Sequence, residues 1–528
     1  MNYKIITSTL LILLSTTLSF SQYSAKMDST FNNDGELVQS YLLSYNSIIA
    51  AKALPDSTLI YSILTVGGSS PTALIKLKFD GTIDSSFAIN GILNYSIGGT
   101  GTTVYEIEKF GNNLFLSGKV NRDKFVTKID FNGKIDSTFG TNGSTSVNYS
   151  TPIVSSTNSF AMDKIGNIYF GARRTSLSSG ITEIIITKLN GVTGLIDNTF
   201  GTSGQAFFNL STGAISAFSD LIVDSAQNII ASCCGSNTTN NVSLVIKFNP
   251  NGTLNTSFNG TGFAQYTFPG ADVFQVATNK LEVDKNKIIV IGSYLTSGNP
   301  STFVMKIKPD AKFDSTFATN GKLLYSNGAY KCRPSDNLIL SDKRILISGT
   351  AGLGSTDSYV SLLMLHPNGT VDNSFAANGM FLNQMGTRWE SNGSKCLSKY
   401  PDNRVFIGGS SSDCNTGICY FTPSMSRVVF DTAFIDVIDT TNHAGIFELN
   451  KQQDLDFYPN PIVAGSTIKF NTNQLINKVE VYSINGSLVF STNLSSTSFK
   501  LPSEIKKGLY MVSFSSENSK ITKKLIVE

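Results

Sequence analysis

Between about residue 46 and residue 430, apolar positions come in short runs separated by Gly, Asn, Asp and Ser. NLFLSG, NIYFGA, NIIASC, KIIVIGS, RILISG and RVFIGG are examples. Runs this short, rich in β-branched and aromatic residues and bounded by turn formers, predict strands rather than helices. The pattern also has a larger period. After each Gly of a recurring phrase comes a short run such as KLLYS at 322–326, then a run ending in an Asp-bearing turn such as MDKIGN at 162–167. The most apolar run follows, and a fourth such as ALIKLKFDGTID closes the unit. Four antiparallel strands per unit is the economical reading.

The phrase itself reads DSTFGTNG at 136–143 and DSTFATNG at 314–321. Its aromatic anchors are Phe31, Phe87, Phe139, Phe200, Phe258, Phe317 and Phe375, about 58 residues apart. Asp or Asn stands three residues before each anchor and Gly four after; an eighth, frayed anchor at Phe434 has Ile438 where the Gly should be. An Asp or Asn oxygen can fold back onto nearby N–H groups, Gly admits the positive φ of a chain reversal, and the Phe is left to point inward. Burying one such ring contributes about 1.5–3 kcal/mol. Eight anchors bound seven units, and repeated four-stranded sheets that pack radially predict a seven-bladed β-propeller of the all-β class.

Five lysines recur just upstream of the phrase, Lys76, Lys128, Lys188, Lys247 and Lys306. A ring of cations for an anionic ligand is one reading. Lysines guarding outer edge strands against sideways pairing is the expected one.

Composition narrows function by exclusion. The chain has 528 residues, 15% of them charged, and a net charge of +3. That is too little positive charge for a nucleic-acid footprint. Calcium ligation by the recurring Asp residues lacks the spacing of an EF-hand loop, and paired C-x-x-C knuckles for zinc are missing. Nucleophilic catalysis with a histidine base is unpromising because only His366, in a repeat turn, and His443 are present. Trp389 in TRWESNG could stack on a sugar ring, though a single aromatic in a β-unit is more often packing. No cofactor or metal site is expected.

MNYKIITSTLLILLSTTLSFSQ begins the chain, with Lys4, an apolar run from Ile5 to Leu18 and small residues at Ser19 and Ser21. This layout predicts a secretory signal over 1–21. Export permits disulfides. Of the six cysteines, Cys414 and Cys419 in SDCNTGIC are the expected pair, a bridge between Cys332 and Cys396 is conceivable, and Cys233 and Cys234 are unassigned.

The phrase, preceded by N-G-T-[LIV]-[DN], resembles the delta-60 repeat of bacterial exported proteins over roughly 26–434. That resemblance implies a β-propeller without an assigned activity. Past it, YPNP at 458–461, VYSINGSLV at 481–489, GLYMVSF at 508–514 and KKLIV at 523–527 resemble the type A C-terminal sorting domain of the type IX secretion system of Bacteroidetes. Short strands around the Asn485-Gly486 turn predict a small Ig-like β-sandwich. The resemblance implies passage through the outer membrane, with Tyr458, Pro459, Asn460 and Pro461 as its motif.

The expected organisation is a signal at 1–21, a propeller at 22–434, a linker at 435–454 and a sorting sandwich at 455–528. The expected function is a secreted or surface-displayed, non-catalytic propeller that binds an extracellular glycan or protein, with the type IX secretion machinery as partner and no transmembrane span in the mature chain. An extracellular glycosidase or lyase acting at the channel mouth is the alternative.

Overall fold

The computed structural model describes residues 25–430 and 456–528, apart from 39–45, 66–71, 99–100, 122, 150–158, 176–180, 211–212, 238–239, 269–275, 297–298, 328–329, 353–357, 385–392, 416–417, 472–475, 484–487, 495 and 516–519. The signal stretch, Trp389, the eighth anchor Phe434 and His443 lie outside the described residues. The chain divides into two compact units, Met1–Asn442 and His443–Glu528.

The first unit is a β-propeller, with seven antiparallel sheets among the described residues. The sheet Asn46–Ala53, Leu59–Thr65, Thr72–Leu77, Ile92–Tyr95 is a plain meander. The sheets that start at Thr102–Phe110, Ser159–Met162, Ala214–Val223, Val276–Asp284 and Lys331–Ile339 follow the same order. Second strands such as Ile229–Ser236 are buried almost throughout, because neighbouring sheets cover both their faces, and so they read as unbroken apolar runs. First strands of successive sheets neighbour one another all the way round, from Asn46–Ala53 through to Gly393–Lys399 and back. The stack is therefore a closed ring.

Sequence unit and sheet are offset by one strand. Each phrase connects a sheet's third strand to its fourth, so the run that opens a sequence unit belongs to the preceding sheet. The seventh sheet has Gly393–Lys399, Arg404–Asn415 and Ile418–Phe430 from the C-terminal side of the ring, and takes its outer strand from the N-terminus. There Ala25–Met27 pairs with Val428–Phe430, and Glu36–Val38 pairs with Ser424–Ser426. The first phrase, around Phe31, thus completes the last sheet, and the ring needs no eighth anchor.

The phrase joins sheets as well as turning the chain. In the second sheet the Asp136 carboxylate accepts from Thr138 N at 3.1 Å and Thr138 Oγ1 at 2.6 Å, and Phe139 N donates to Asp136 O. Gly143 then turns at φ +89°, where a Cβ would sit 2.1 Å from the Ile135 side chain. At five of the anchors the residue after the Phe is seen to reach the next unit, as where Ala88 N donates to Asn132 O at 2.8 Å, Gly140 N to Thr193 O at 2.8 Å and Gly201 N to Asn251 O at 2.7 Å. Turn glycines of the next unit lie on the anchor rings, Gly133 on Phe87 and Gly369 on Phe317. All seven anchors from Phe31 to Phe375 are at most 1% exposed.

The second unit is a two-sheet sandwich. Asp456–Tyr458, Thr467–Asn471 and Ser498–Lys500 form one sheet; Leu488–Asn493, Lys478–Ser483, Gly508–Ser515 and Lys520–Val527 form the other in that order. Ile468, Phe470, Val479, Val481, Phe499, Val512, Phe514 and Leu525 fill the space between them. The YPNP segment, whose Tyr458-Pro459 and Asn460-Pro461 peptides are cis, docks on the final strand. Asn460 Oδ1 accepts from Ile526 N, and Ile462 N donates to Ile526 O, at 2.8 and 2.9 Å.

Candidate functional site

Two sets of charged residues stand out, one that repeats around the ring and one that does not. The repeating set contains the five lysines. They do not guard sheet edges: Lys76 and its counterparts sit on third strands, hydrogen-bonded on both sides, and the short fourth strand forms the edge. Neither do they form an open ring for a ligand. Lys76, Lys128 and Lys188 pair with the phrase carboxylates Asp84, Asp136 and Asp197 at 3.3, 2.9 and 2.9 Å. Where the phrase has Asn255, Lys247 turns instead to Asp224 at 2.9 Å. Lys306 pairs with Asp284 at 2.6 Å, while Lys287 takes Asp314 at 2.7 Å. A buried ammonium needs a counter-charge within reach, and that requirement decides these orientations.

At the ring junction the same place is held by Arg427. Its backbone N–H donates to Gly35 O and its carbonyl accepts from Asp28 N, as Lys76 does with Gly91 and Asp84. The wholly buried guanidinium donates to Asp28 Oδ2 at 2.6 Å and lies over Phe79 and Phe31 at 4.1 and 4.9 Å. Arg404 donates to the same Asp28 oxygen at 2.7 Å. Burial alone would raise the Asp28 carboxyl, but the Thr30 hydrogen bonds and the two guanidinium groups hold it below the ordinary range. His366 is half-exposed in its turn, with Nε2 3.5 Å from Asp372 Oδ1.

The second set lies on the first strands, around the axis. Most of these strands carry a bulge, and the residue after it differs in every sheet but two: Ala50, Glu106, Asp220, Lys280, Asp336 and Cys396. Ser159 holds the matching register in the sheet without a bulge. Two residues on, Lys52, Glu108 and Glu282 extend the belt. These side chains sense one another across the ring. Lys280 sits in the combined field of Asp220, Asp336, Glu106 and Glu108, which outweighs burial and raises its pKa. Its Nζ is 3.9 Å from Asp336 Oδ1, and Lys52 pairs with Glu108 at 2.8 Å.

Burial and neighbouring carboxylates push Glu106 and Glu282 up to about 8. Both side chains keep part of their surface open. Asp220 and Asp336 are committed to hydrogen bonds between strands. Asp220 accepts from Ser159 Oγ at 3.1 Å and Leu281 N at 2.7 Å. Asp336 accepts from Asn337 N at 3.0 Å and Leu397 N at 2.7 Å. Each thereby ties its own first strand to that of the next sheet.

Sequence reasoning missed this belt. Unit-specific charges at one repeat position were the available signal, but Glu106 and Lys280 are meaningful only together, and their proximity arises from ring closure. Among the described residues no group of three His, Cys, Asp or Glu is arranged to hold a metal ion. Cys332 and Cys396 are separate, free, buried thiols, so no bridge joins those repeats. Backbone register sets Cys414 opposite Cys419; their side chains lie outside the described residues.

Residues 456–528 match the family described as the secretion system C-terminal sorting domain, and residues 286–317 and 340–375 match a β-propeller domain of unknown function, DUF5122. The chain is thus a propeller protein with a type IX sorting tail, and the tail marks it for export to the cell surface and for handling by that secretion machinery. No curated protein matches the chain. Among solved structures, a protein of unknown function from Dyadobacter fermentans is 10% identical with a TM-score of 0.39, covering 77% of this chain and 99% of its own. A prolyl endopeptidase is 10% identical with a TM-score of 0.39 over 89% of this chain, which spans 55% of that enzyme's length. PorZ, a surface component of the type IX secretion system of Porphyromonas gingivalis, is 10% identical with a TM-score of 0.22, covering 91% of this chain and 81% of its own. Scores this low have no bearing on activity. Among the described residues no helix is long and apolar enough to cross a membrane.

Proposed function

We propose that the protein is a non-catalytic binding module, sent by an N-terminal Sec signal to the periplasm and by its tail to the cell surface. The observation that supports this most directly is how the axial carboxylates are used. A glycosidase needs one protonated carboxyl and one ionised partner facing the scissile bond. Glu106 and Glu282 supply the first kind. The other axial carboxyls are already engaged, with both oxygens of Asp220 and of Asp336 accepting hydrogen bonds and Glu108 paired with Lys52.

The carbohydrate-active alternative keeps one observation in its favour: two carboxyls held protonated near neutral pH are apt general acids. Incubating the mature chain with a polysaccharide panel and measuring reducing ends separates the two readings. Retention without product is the expected result. Product release that disappears in Glu106→Gln or Glu282→Gln would overturn it. Secretion of a chain lacking 455–528 would overturn the delivery route.

A further inference from the structure

A groove of about 870 Å³ opens on the outer rim where the first three sheets meet. This lies within the size range of small-molecule and oligosaccharide sites. Its floor is the fourth strand Ser144–Val147, one wall is the chain after Tyr95, and the other is the turn at 194–198.

The groove departs from the repeat. The turn GVTGL is one residue longer than its counterparts and leans onto the neighbouring strand, where Thr145 Oγ1 donates to Gly194 O at 2.7 Å. A Cβ at Gly140 would fall 2.3 Å from that same Thr145 Oγ1; this unit and the next, with Gly201, carry Gly where the others carry Ala or Asn. The opposite wall is fixed by a buried hydroxyl network. Tyr95 OH shares hydrogen bonds with Thr127 Oγ1 and, at 3.0 Å, with Ser144 Oγ.

Among the described residues no charged side chain lines the groove. Hydroxyls and amides from Ser96, Asn142, Ser146 and Asn198 converge on it, and Ile97 and Leu195 add aliphatic surface. We propose that this rim groove binds a neutral oligosaccharide, a ligand class that refines the binding-module reading on which it rests. Sugar hydroxyls both donate and accept, as do the lining groups, and the C–H faces of pyranose rings suit aliphatic walls. An uncharged lining offers an anionic ligand no counter-ion. A peptide adding as a strand is disfavoured because the start of the edge is occupied: Ser144 exchanges backbone hydrogen bonds with Thr141 at 2.7 and 3.2 Å.

The test is an array of neutral malto-, manno- and xylo-oligosaccharides, with sulfated and uronate oligosaccharides and an extended-peptide library as further arms. The full mature chain is the probe, and hits are followed by titration. Ser146→Asp and Asn198→Asp place an unpaired carboxylate on exposed groove positions and should each weaken a neutral-sugar hit by about tenfold or more. Ser326→Asp, on an exposed position of another sheet, should leave it unchanged, and Leu195→Ala gives a test that adds no charge. Unchanged affinity in all three groove variants would overturn the groove while leaving a glycan-binding module intact. Hits confined to anionic sugars or peptides, or none at all, would overturn the ligand class. Release of reducing ends would instead sink the non-catalytic reading.

Discussion

The seam between sheets and the belt around the axis use the same kinds of charged residue for different ends. At the seam the units repeat one solution: an Asp, or in one unit Asn255, that caps its own turn, a cation that pairs with a carboxylate, and a ring beneath the next unit's turn. At the belt the first strands carry Ala50, Glu106, Ser159, Asp220, Lys280, Asp336 and Cys396 in matching places. A position that repeats is set by what every sheet needs in order to pack. A position that varies is released from that need and can answer to the particular molecule.

Breaking the seam should be the costlier change. Arg427→Met leaves the Asp28 carboxylate buried at the ring junction with only Arg404 beside it. A buried pair broken this way loses about 3–5 kcal/mol, read as a drop in the urea midpoint. Lys128→Met, at the equivalent but more open seam, should cost about 1 kcal/mol or less. Equal losses would mean that the junction is an ordinary seam. Phe139→Ala should cost about 3–5 kcal/mol in the same assay, since its ring is fully buried between sheets and packs on Phe115 at 5.8 Å.

pH distinguishes the two regions by sign. Hydrogen bonds from Thr138 and then Lys128 hold Asp136 down at about 2, so the seam's contribution is intact above the unfolded value of about 3.9 and fades as pH falls toward about 2. Glu106 and Glu282 do the reverse. They bind their protons more tightly folded, up to about 8, so their contribution is whole below about 4.3 and is lost as pH rises through that window. Melting midpoints between pH 5 and 9 should fall with pH, and the Glu106→Gln, Glu282→Gln double variant should flatten the slope. A slope unchanged in that variant would remove the belt from the account. The smallest effect is expected for a Cys414–Cys419 bridge, which would close only a short hairpin. Oxidised mature chain should be two hydrogens lighter than reduced chain, and Cys414→Ser should abolish that difference.

Much of this was legible in the letters because it is local. The turn chemistry of DSTFGTNG acts within eight residues, and the hairpins around 478–493 and 508–527 follow from alternation. Even the lysines were located correctly along the chain. Their role was misread as edge protection because the sequence unit was taken for the sheet, whereas the sheet runs one strand past the phrase. That offset is also why Ile438 in place of the eighth Gly left closure unexplained.

The sequence by itself determined the strands, the period, the capped turns and the sorting tail, all of which depend on interactions between near neighbours in the chain. Tertiary structure alone decided which strand completes the seventh sheet, which carboxylate each lysine takes, and that Glu106 and Lys280 share one electrostatic environment. Those outcomes join residues far apart in the chain, and no local pattern encodes them. They exist because a closed ring brings its two ends and its opposite walls within the short reach of hydrogen bonds and weakly screened charge.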